Sequence, residues 1–237
     1  MVLEQAKPRA EAGDIDGAIE CFEGHQDVDQ VMKAYEDLVL HMYWERKNIH
    51  AVVTLAHAGI QRMLREADAY GAANPEKRLN ARQRARVMAY NLASFCWAGW
   101  DEPGIELRES EKKAGRDAAV LHYELVQSLN PEAITSARAA WIVGAQLLTA
   151  HEYAAARSKF EESSEHAQQA NSEAEHLLGL AFAHLAKCLE STDDSACRAE
   201  LQETKQRLLR AKDGEEFVRQ VDTAEAVCRR GQEASIN

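Results

Sequence analysis

Two ten-residue stretches decide the fold class. Residues 13–22 read Gly-Asp-Ile-Asp-Gly-Ala-Ile-Glu-Cys-Phe, and residues 151–160 read His-Glu-Tyr-Ala-Ala-Ala-Arg-Ser-Lys-Phe. Each begins with a turn and then places an alanine, Ala18 or Ala156, four residues before the closing phenylalanine. Residues four apart share one face of a helix, so the small one lets a second helix approach and the large one fills the adjoining space. Both stretches therefore predict a closely packed helical hairpin.

The composition extends this prediction to the whole chain. Of 237 residues 41 are alanine, the strongest helix former, whereas valine, isoleucine and threonine together number only 27. With four prolines and twelve glycines there are few breaks. The composition predicts an all-α protein, and the apolar spacing described next divides it into about 11–12 helices.

Apolar residues recur at helical spacing, as at positions 28, 31, 35, 38 and 42. Asn74-Pro75 and Asn130-Pro131 are typical helix starts, in which asparagine caps the helix and proline takes its first position. Ser172 and Asp213 are each followed three residues later by glutamate, a second capping pattern. The predicted helices cover 2–12, 14–24, 28–46, 48–70, 76–99, 102–114, 117–129, 131–150, 152–170, 173–190, 195–211 and 214–230, with 102–129 left open as one bent helix or two short ones.

The hairpin pattern recurs at a fixed interval. Ala51 follows Ala18 by 33 residues, and Gly179 follows Gly144 by 35. With these offsets and the Ala-x-x-x-Phe slots, the chain resembles tetratricopeptide-repeat proteins, whose period is about 34 residues. The resemblance covers 1–60 and 131–190. It implies a right-handed stack of helical hairpins forming one domain over 1–237, with irregular repeats over 61–130 and a C-terminal capping helix over 214–230.

In function, the resemblance implies a concave face that holds a peptide or protein partner, without chemistry of its own. One subclass clamps chaperone C-termini with Lys, Asn and Arg on the first helix of each hairpin. The corresponding positions of the second hairpin are Glu36 and Leu40, and among all such positions only Lys7 has a suitable side chain. We therefore expect no recognition of that type.

Charge and cysteine content exclude several classes. The formal net charge of -11 disfavours nucleic acid and anionic lipid as partners. Five widely spaced cysteines without a Cys-x-x-Cys pair argue against a disulfide framework and a thiolate zinc site, and the N-terminus lacks an apolar signal region. We expect a cytoplasmic protein that spans no membrane and uses no cofactor.

A local basic cluster supplies the first candidate surface. On the predicted helix 76–99, Arg82, Arg86, Tyr90 and Trp97 share one face, and arginines beside aromatic rings suit an acidic or phosphorylated ligand. The alternative is that Tyr90 and Trp97 belong to the core and that the arginines form a solvated face.

Trp141 and His176 complete the candidate binding residues. Trp141 sits where the resemblance places a ligand-contacting side chain, although a spacer in the core would look the same. Glu173 precedes His176 by three residues, as in di-iron bundles, but no second motif of that kind is present, which argues against a metal site.

Two functions remain open from the sequence. The first is a non-catalytic scaffold that binds a protein or peptide, with homodimerisation through the same face as a variant. The second is a small-molecule sensor or helical enzyme whose pocket is lined by Arg82, Arg86, Tyr90, Trp97 and Trp141. No nucleophile elbow, phosphate-binding loop or metalloprotease motif supports catalysis.

Overall fold

The computed structural model describes residues 2–191 and 195–236. Within these residues the chain forms helices and no strand, which confirms the all-α prediction. The eleven α-helices of this part of the chain are α1 (Val2–Glu11), α2 (Ile15–Glu23), α3 (Val28–Trp44), α4 (Ile49–Tyr70), α5 (Pro75–Phe95), α6 (Glu109–Ser128), α7 (Ala133–Thr149), α8 (Tyr153–Gln169), α9 (Glu173–Glu190), α10 (Ser195–Leu208) and α11 (Gly214–Ile236), with short 3₁₀ turns over Gly71–Ala73 and Ala98–Trp100.

Within the region 102–129, for which the sequence predicts one bent helix or two short ones, the structure has one helix, α6, over Glu109–Ser128, and residues 102–108 are not helical. It begins late because Glu111 reaches back to accept a hydrogen bond of 2.8 Å from the Arg108 backbone N–H, as in a helix-capping box. Glycine at position 115 does not interrupt it, since Lys113 and Asp117 pair across that turn.

The caps differ in part from those predicted. Asn130 does not cap α7: it has a φ of +48°, and the helix begins three residues later with Glu132 as its N-cap. Asn74 precedes Pro75 as predicted, but its side chain makes no capping hydrogen bond. The side chains that do cap helices in this way are Asp14, Asp27 and Asn48.

The chain divides into two compact units. The first comprises Met1–Cys96 and Gly104–Leu125. Successive helices from α1 to α5 pack against each other in this unit, and α1 also contacts α3 while α2 contacts α4. Polar contacts tie the end of α2 to α4, because the Glu23 carboxylate pairs with Arg65 at 2.7 Å and with Arg62 at 3.5 Å. Contact between alternate helices is what stacked hairpins require.

The second unit comprises Trp97–Pro103 and Val126–Asn237, and α7 lies in its core. Nearly all of α7 between Ser136 and Gln146 is buried. A side chain at Gly144 would meet the Phe160 ring at 2.9 Å, and one at Gly179 would meet the Ser164 backbone nitrogen at 2.9 Å. The small residues noted in the repeat pattern thus lie where neighbouring helices approach most closely.

One cysteine pair corrects the expectation of no disulfide. Cys188, near the end of α9, is bonded to Cys197, near the start of α10. The two are nine residues apart in sequence, and the packing of α9 against α10 brings them together. The spacing rules for zinc and redox motifs do not detect such a pair.

A separate finding concerns membranes. Across residues 2–191 and 195–236, no helix combines the length and the apolar character needed to cross a lipid bilayer.

Candidate functional site

Trp97 and Trp141, two of the predicted binding residues, lie together in the core of the second unit. Their rings meet edge to face with centroids 5.3 Å apart, and only 2% and 8% of their surfaces are exposed. Trp100, Phe160 and Phe182 surround Trp141 at centroid distances of 5.3 to 6.4 Å. The cluster therefore packs helices together.

The two indoles differ in their hydrogen bonding. The Trp97 Nε1–H donates to the Ala145 carbonyl at 2.8 Å, whereas the buried Trp141 Nε1 has no hydrogen-bond partner among the described residues. A buried donor without a partner costs about 1–3 kcal/mol, so Trp141 contributes through its ring alone.

Trp97, one of the four residues of the predicted face, lies beyond the end of α5 and belongs to the second unit. The other three, Arg82, Arg86 and Tyr90, form a half-buried face of α5 in the first unit. His122 of α6 packs against it: the His122 Nδ1–H donates to the Arg86 carbonyl at 2.8 Å, and its ring lies 5.1 Å from that of Tyr90. Burial lowers the pKa of His122 to about 4. His122 therefore contacts both Arg86 and Tyr90, and Arg82 lies one turn earlier on the same helix.

His176 takes part in a contact between helices. Its Nδ1 lies 2.8 Å from Ser164 Oγ and 3.2 Å from the Ser164 carbonyl oxygen, which joins α9 to α8. Across the described residues, His, Cys, Asp and Glu do not converge in groups of three that could hold a metal ion.

The structure shows a cleft in the first unit that the sequence analysis missed. It has a volume of about 250 Å³ and lies between the start of α3, the end of α4 and the first half of α5. Its apolar lining consists of Val28, Met63 and Ala81, and its polar lining of Gln26, Asp27, Asp29, Tyr70, Lys77, Asn80 and Arg84.

Helical spacing could have revealed the α5 side of this cleft. Lys77, Asn80 and Arg84 are three and four residues apart, so they lie on one face of the helix. The sequence pattern favours the arginines at 82 and 86 instead, because aromatic residues follow them at helical spacing.

The cleft has hydrogen-bond donors without partners. Arg84 pairs with Asp29 through Nη2 at 3.0 Å, but its buried Nε makes no hydrogen bond. The Lys77 Nζ lies 5.7 Å from the centre of the Tyr70 ring and forms no ion pair within the described part of the chain. The Arg84 Nε is buried and Lys77 is exposed, so of these two groups the lysine is the one open to an acceptor.

The acids of the cleft, by contrast, are already engaged. Both carboxylate oxygens of Asp27 accept hydrogen bonds from Gln30, one from the backbone N–H at 3.1 Å and one from the side-chain amide at 2.8 Å. Asp29 holds Arg84. Further along α3, burial raises the pKa of Glu36, and the nearby Arg84 guanidinium opposes that rise.

A second exposed feature lies at the other end of α3. Leu40 and Trp44 are one turn apart, and 39% and 54% of their surfaces are exposed. The Lys47 Nζ lies 5.3 Å from the Trp44 ring. Leu40 is also a position at which the tetratricopeptide resemblance places partner contacts.

Two buried thiols are unsuited to nucleophilic chemistry. Burial raises the pKa values of Cys96 and Cys228 to about 12 each, with the Glu111 carboxylate adding to the rise at Cys96. Because the thiolate is the reactive form, both are poor nucleophiles near neutral pH.

Comparison with known proteins leaves the family open. No protein-family model matches this chain, and no curated protein matches it in sequence. The resemblance to tetratricopeptide repeats therefore rests on the quoted residues and on the sequential packing of the helices.

Proposed function

We propose that this protein is a non-catalytic scaffold that binds a protein or peptide partner on the first helices of tetratricopeptide-like hairpins arranged as a right-handed stack. The observation that carries the proposal is the exposed pair Leu40 and Trp44 on α3. Tryptophan is enriched among the residues that dominate binding energy, and a leucine one turn away extends the apolar contact.

The surroundings of the pair also suit a partner surface. Lys47 beside Trp44 adds a cation at its edge, and polar rims around apolar centres are typical of interfaces. The high pKa values of Cys96 and Cys228 support a function without nucleophilic catalysis. Within the cell, the acidic chain would act on proteins and not on nucleic acid, and we propose a cytoplasmic setting.

A photo-crosslinking experiment tests this surface. A benzophenone amino acid replaces Leu40 in the full chain, and the matched control carries it at Leu209, which is 41% exposed in the second unit. We expect a discrete adduct from position 40 only, and a synthetic peptide of the captured segment should bind wild type at least about tenfold more tightly than Trp44→Ala.

The same experiment separates other outcomes. An adduct of twice the chain mass would identify a second copy of this protein as the occupant. Equal labelling at both positions, or a captured peptide that binds Trp44→Ala as tightly as wild type, would refute the proposed surface.

The second candidate function is sensing of a small molecule. The cleft between α3, α4 and α5 favours it, because apolar and polar side chains, including the exposed cation of Lys77, line one concave space. The residues first considered for such a pocket, Arg82, Arg86, Tyr90, Trp97 and Trp141, do not line this cleft.

A further inference from the structure

We infer that Cys188 and Cys197 form a reversible dithiol–disulfide site that exchanges with a low-molecular-weight thiol of the glutathione class. Its oxidation state controls how firmly the start of α10 is held on α9. The bond joins the last turn of α9 to the first turn of α10, and both cysteines belong to the second unit. The proposed partner surface lies on α3 of the first unit, so the inference goes beyond the proposed binding function and does not depend on it.

The start of α10 buries little besides this bond. In the six residues from Ser195 to Glu200, only Cys197 is buried, and the other five are exposed. The buried leucines of the helix, Leu201 and Leu208, come later. Helix ends with few buried side chains open more readily than packed helix centres. We therefore expect the first turns of α10 to loosen when the bond is reduced.

Local opening of α10 also provides the route by which a reductant reaches the sulfurs. Cys188 is 5% exposed and Cys197 is fully buried, so a thiol cannot attack the bond while the first turn of α10 stays in place. Opening of that turn brings Cys197 into solvent and leaves the buried leucines of α10 where they are. Exchange therefore requires local opening and not global unfolding.

The fold also accommodates the reduced state. The Cys197 Sγ lies 3.4 Å from the His184 carbonyl oxygen, so the thiol formed on reduction has a hydrogen-bond acceptor in place. Further along, the His184 Nδ1 lies 3.1 Å from the Thr204 Oγ1. Lys205 pairs with Asp222 of α11 at 2.6 Å. These contacts do not involve sulfur, so the second half of α10 should stay attached after reduction.

The exchange takes place in two steps. The thiolate of one glutathione attacks a sulfur of the bond, which forms a mixed disulfide and releases the other cysteine as a thiolate that takes up a proton. The thiolate of a second glutathione then attacks the mixed disulfide, so that oxidised glutathione leaves and the second cysteine is protonated. Two glutathione molecules are thus oxidised, and the protein gains two electrons and two protons. The reverse sequence consumes oxidised glutathione and restores the bond.

The test equilibrates the full chain in buffers of reduced and oxidised glutathione that span cytosolic and secretory conditions. Acid quenching, alkylation of free thiols and peptide mass spectrometry then report the state of each cysteine. We expect this pair to convert from dithiol to disulfide within that range. Hydrogen exchange of the amides at 199–204 should be at least about tenfold faster in the reduced chain, whereas exchange in α8 should not change.

Matched variants assign the effect to this pair. The double variant Cys188→Ala/Cys197→Ala should show the fast exchange of the reduced chain in every buffer. Cys21→Ser removes a half-buried thiol of α2 and should respond as wild type does. Circular dichroism checks that both variants stay helical. The wild-type measurement needs no substitution, so it decides the question even where a variant fails to fold.

Four results would overturn the inference. A bond that survives reduced glutathione at cytosolic ratios would be a permanent structural link, and a pair that stays reduced at secretory ratios would be no redox site. The others are equal exchange of the amides at 199–204 in both states and loss of the response in Cys21→Ser. Trp44→Ala should keep the full response to glutathione, so failure of the partner surface and failure of the redox site are distinguishable.

Discussion

Trp141 in the second unit and Trp44 in the first occupy opposite environments. Trp141 lies among four aromatic side chains with 8% of its surface exposed, whereas Trp44 is 54% exposed at the end of α3. Both are tryptophans on helices of an alanine-rich chain. The comparison teaches that Trp141 builds the core of the second unit together with Phe160 and Phe182, whereas Trp44 of the first unit stays at the surface.

The largest difference in the free energy of unfolding should appear between two single variants, Trp141→Ala and Trp44→Ala. Trp141→Ala should lower the free energy of unfolding by about 4 kcal/mol, because it leaves a cavity among close-packed rings. Trp44→Ala should lower it by less than about 1 kcal/mol, since the side chain is mostly in water already. Urea denaturation followed by circular dichroism measures both, and equal losses would contradict the comparison.

A smaller change in the free energy of unfolding should come from the titration of His122, a buried side chain of the first unit. The folded pKa of His122 is about 4, below its unfolded value of about 6.5, so the folded state binds fewer protons between these values. The free energy of unfolding should therefore be highest above pH 6.5 and fall by roughly 3 kcal/mol as the pH drops to 4.

Denaturation of His122→Asn across this pH range isolates that contribution. Asparagine retains a donor for the Arg86 carbonyl but does not titrate, so the part of the pH dependence due to His122 should disappear. His50→Asn, at an exposed position on α4, should keep it. If both variants retained the full slope, another group would be responsible.

The smallest expected difference in the free energy of unfolding is between phenylalanine substitutions of the two buried tryptophans, Trp97 and Trp141. Trp97→Phe removes the buried hydrogen bond from the indole to the Ala145 carbonyl, which keeps Thr149 Oγ1 as a donor at 3.4 Å, whereas Trp141→Phe removes a donor that had no partner. Trp97→Phe should therefore lower the free energy of unfolding by about 1–2 kcal/mol more than Trp141→Phe. Equal losses would mean that the Trp141 N–H has a partner in solution, such as water.

Much of the fold could be predicted because it depends on local order in the chain. Apolar spacing places α3 over Val28–Trp44 and α9 over Glu173–Glu190 within two residues of their predicted bounds. Small residues such as Gly144 and Gly179 marked the close approaches of helices. The exceptions were also local: Asn130 adopts a left-handed conformation, and Glu111 sets the start of α6.

The candidate sites could be predicted only in part, because they join residues distant in sequence. The cleft brings Asp29 together with Arg84, 55 residues later, and no periodicity connects the two. Likewise, the basic run on α5 was recognised, but which of its faces borders a cleft depends on α3 and α4.

The sequence by itself determined that this chain is helical, where most helices begin and end, and which small residues allow helices to approach. These properties follow from backbone propensity, capping and a period of 3.6 residues, all of which act over a few positions. Only the tertiary structure decided that Trp141 is core and Trp44 is surface, that Cys188 meets Cys197, and that donors of α5 face a cleft. Burial depends on what packs against a residue, and those neighbours come from elsewhere in the chain.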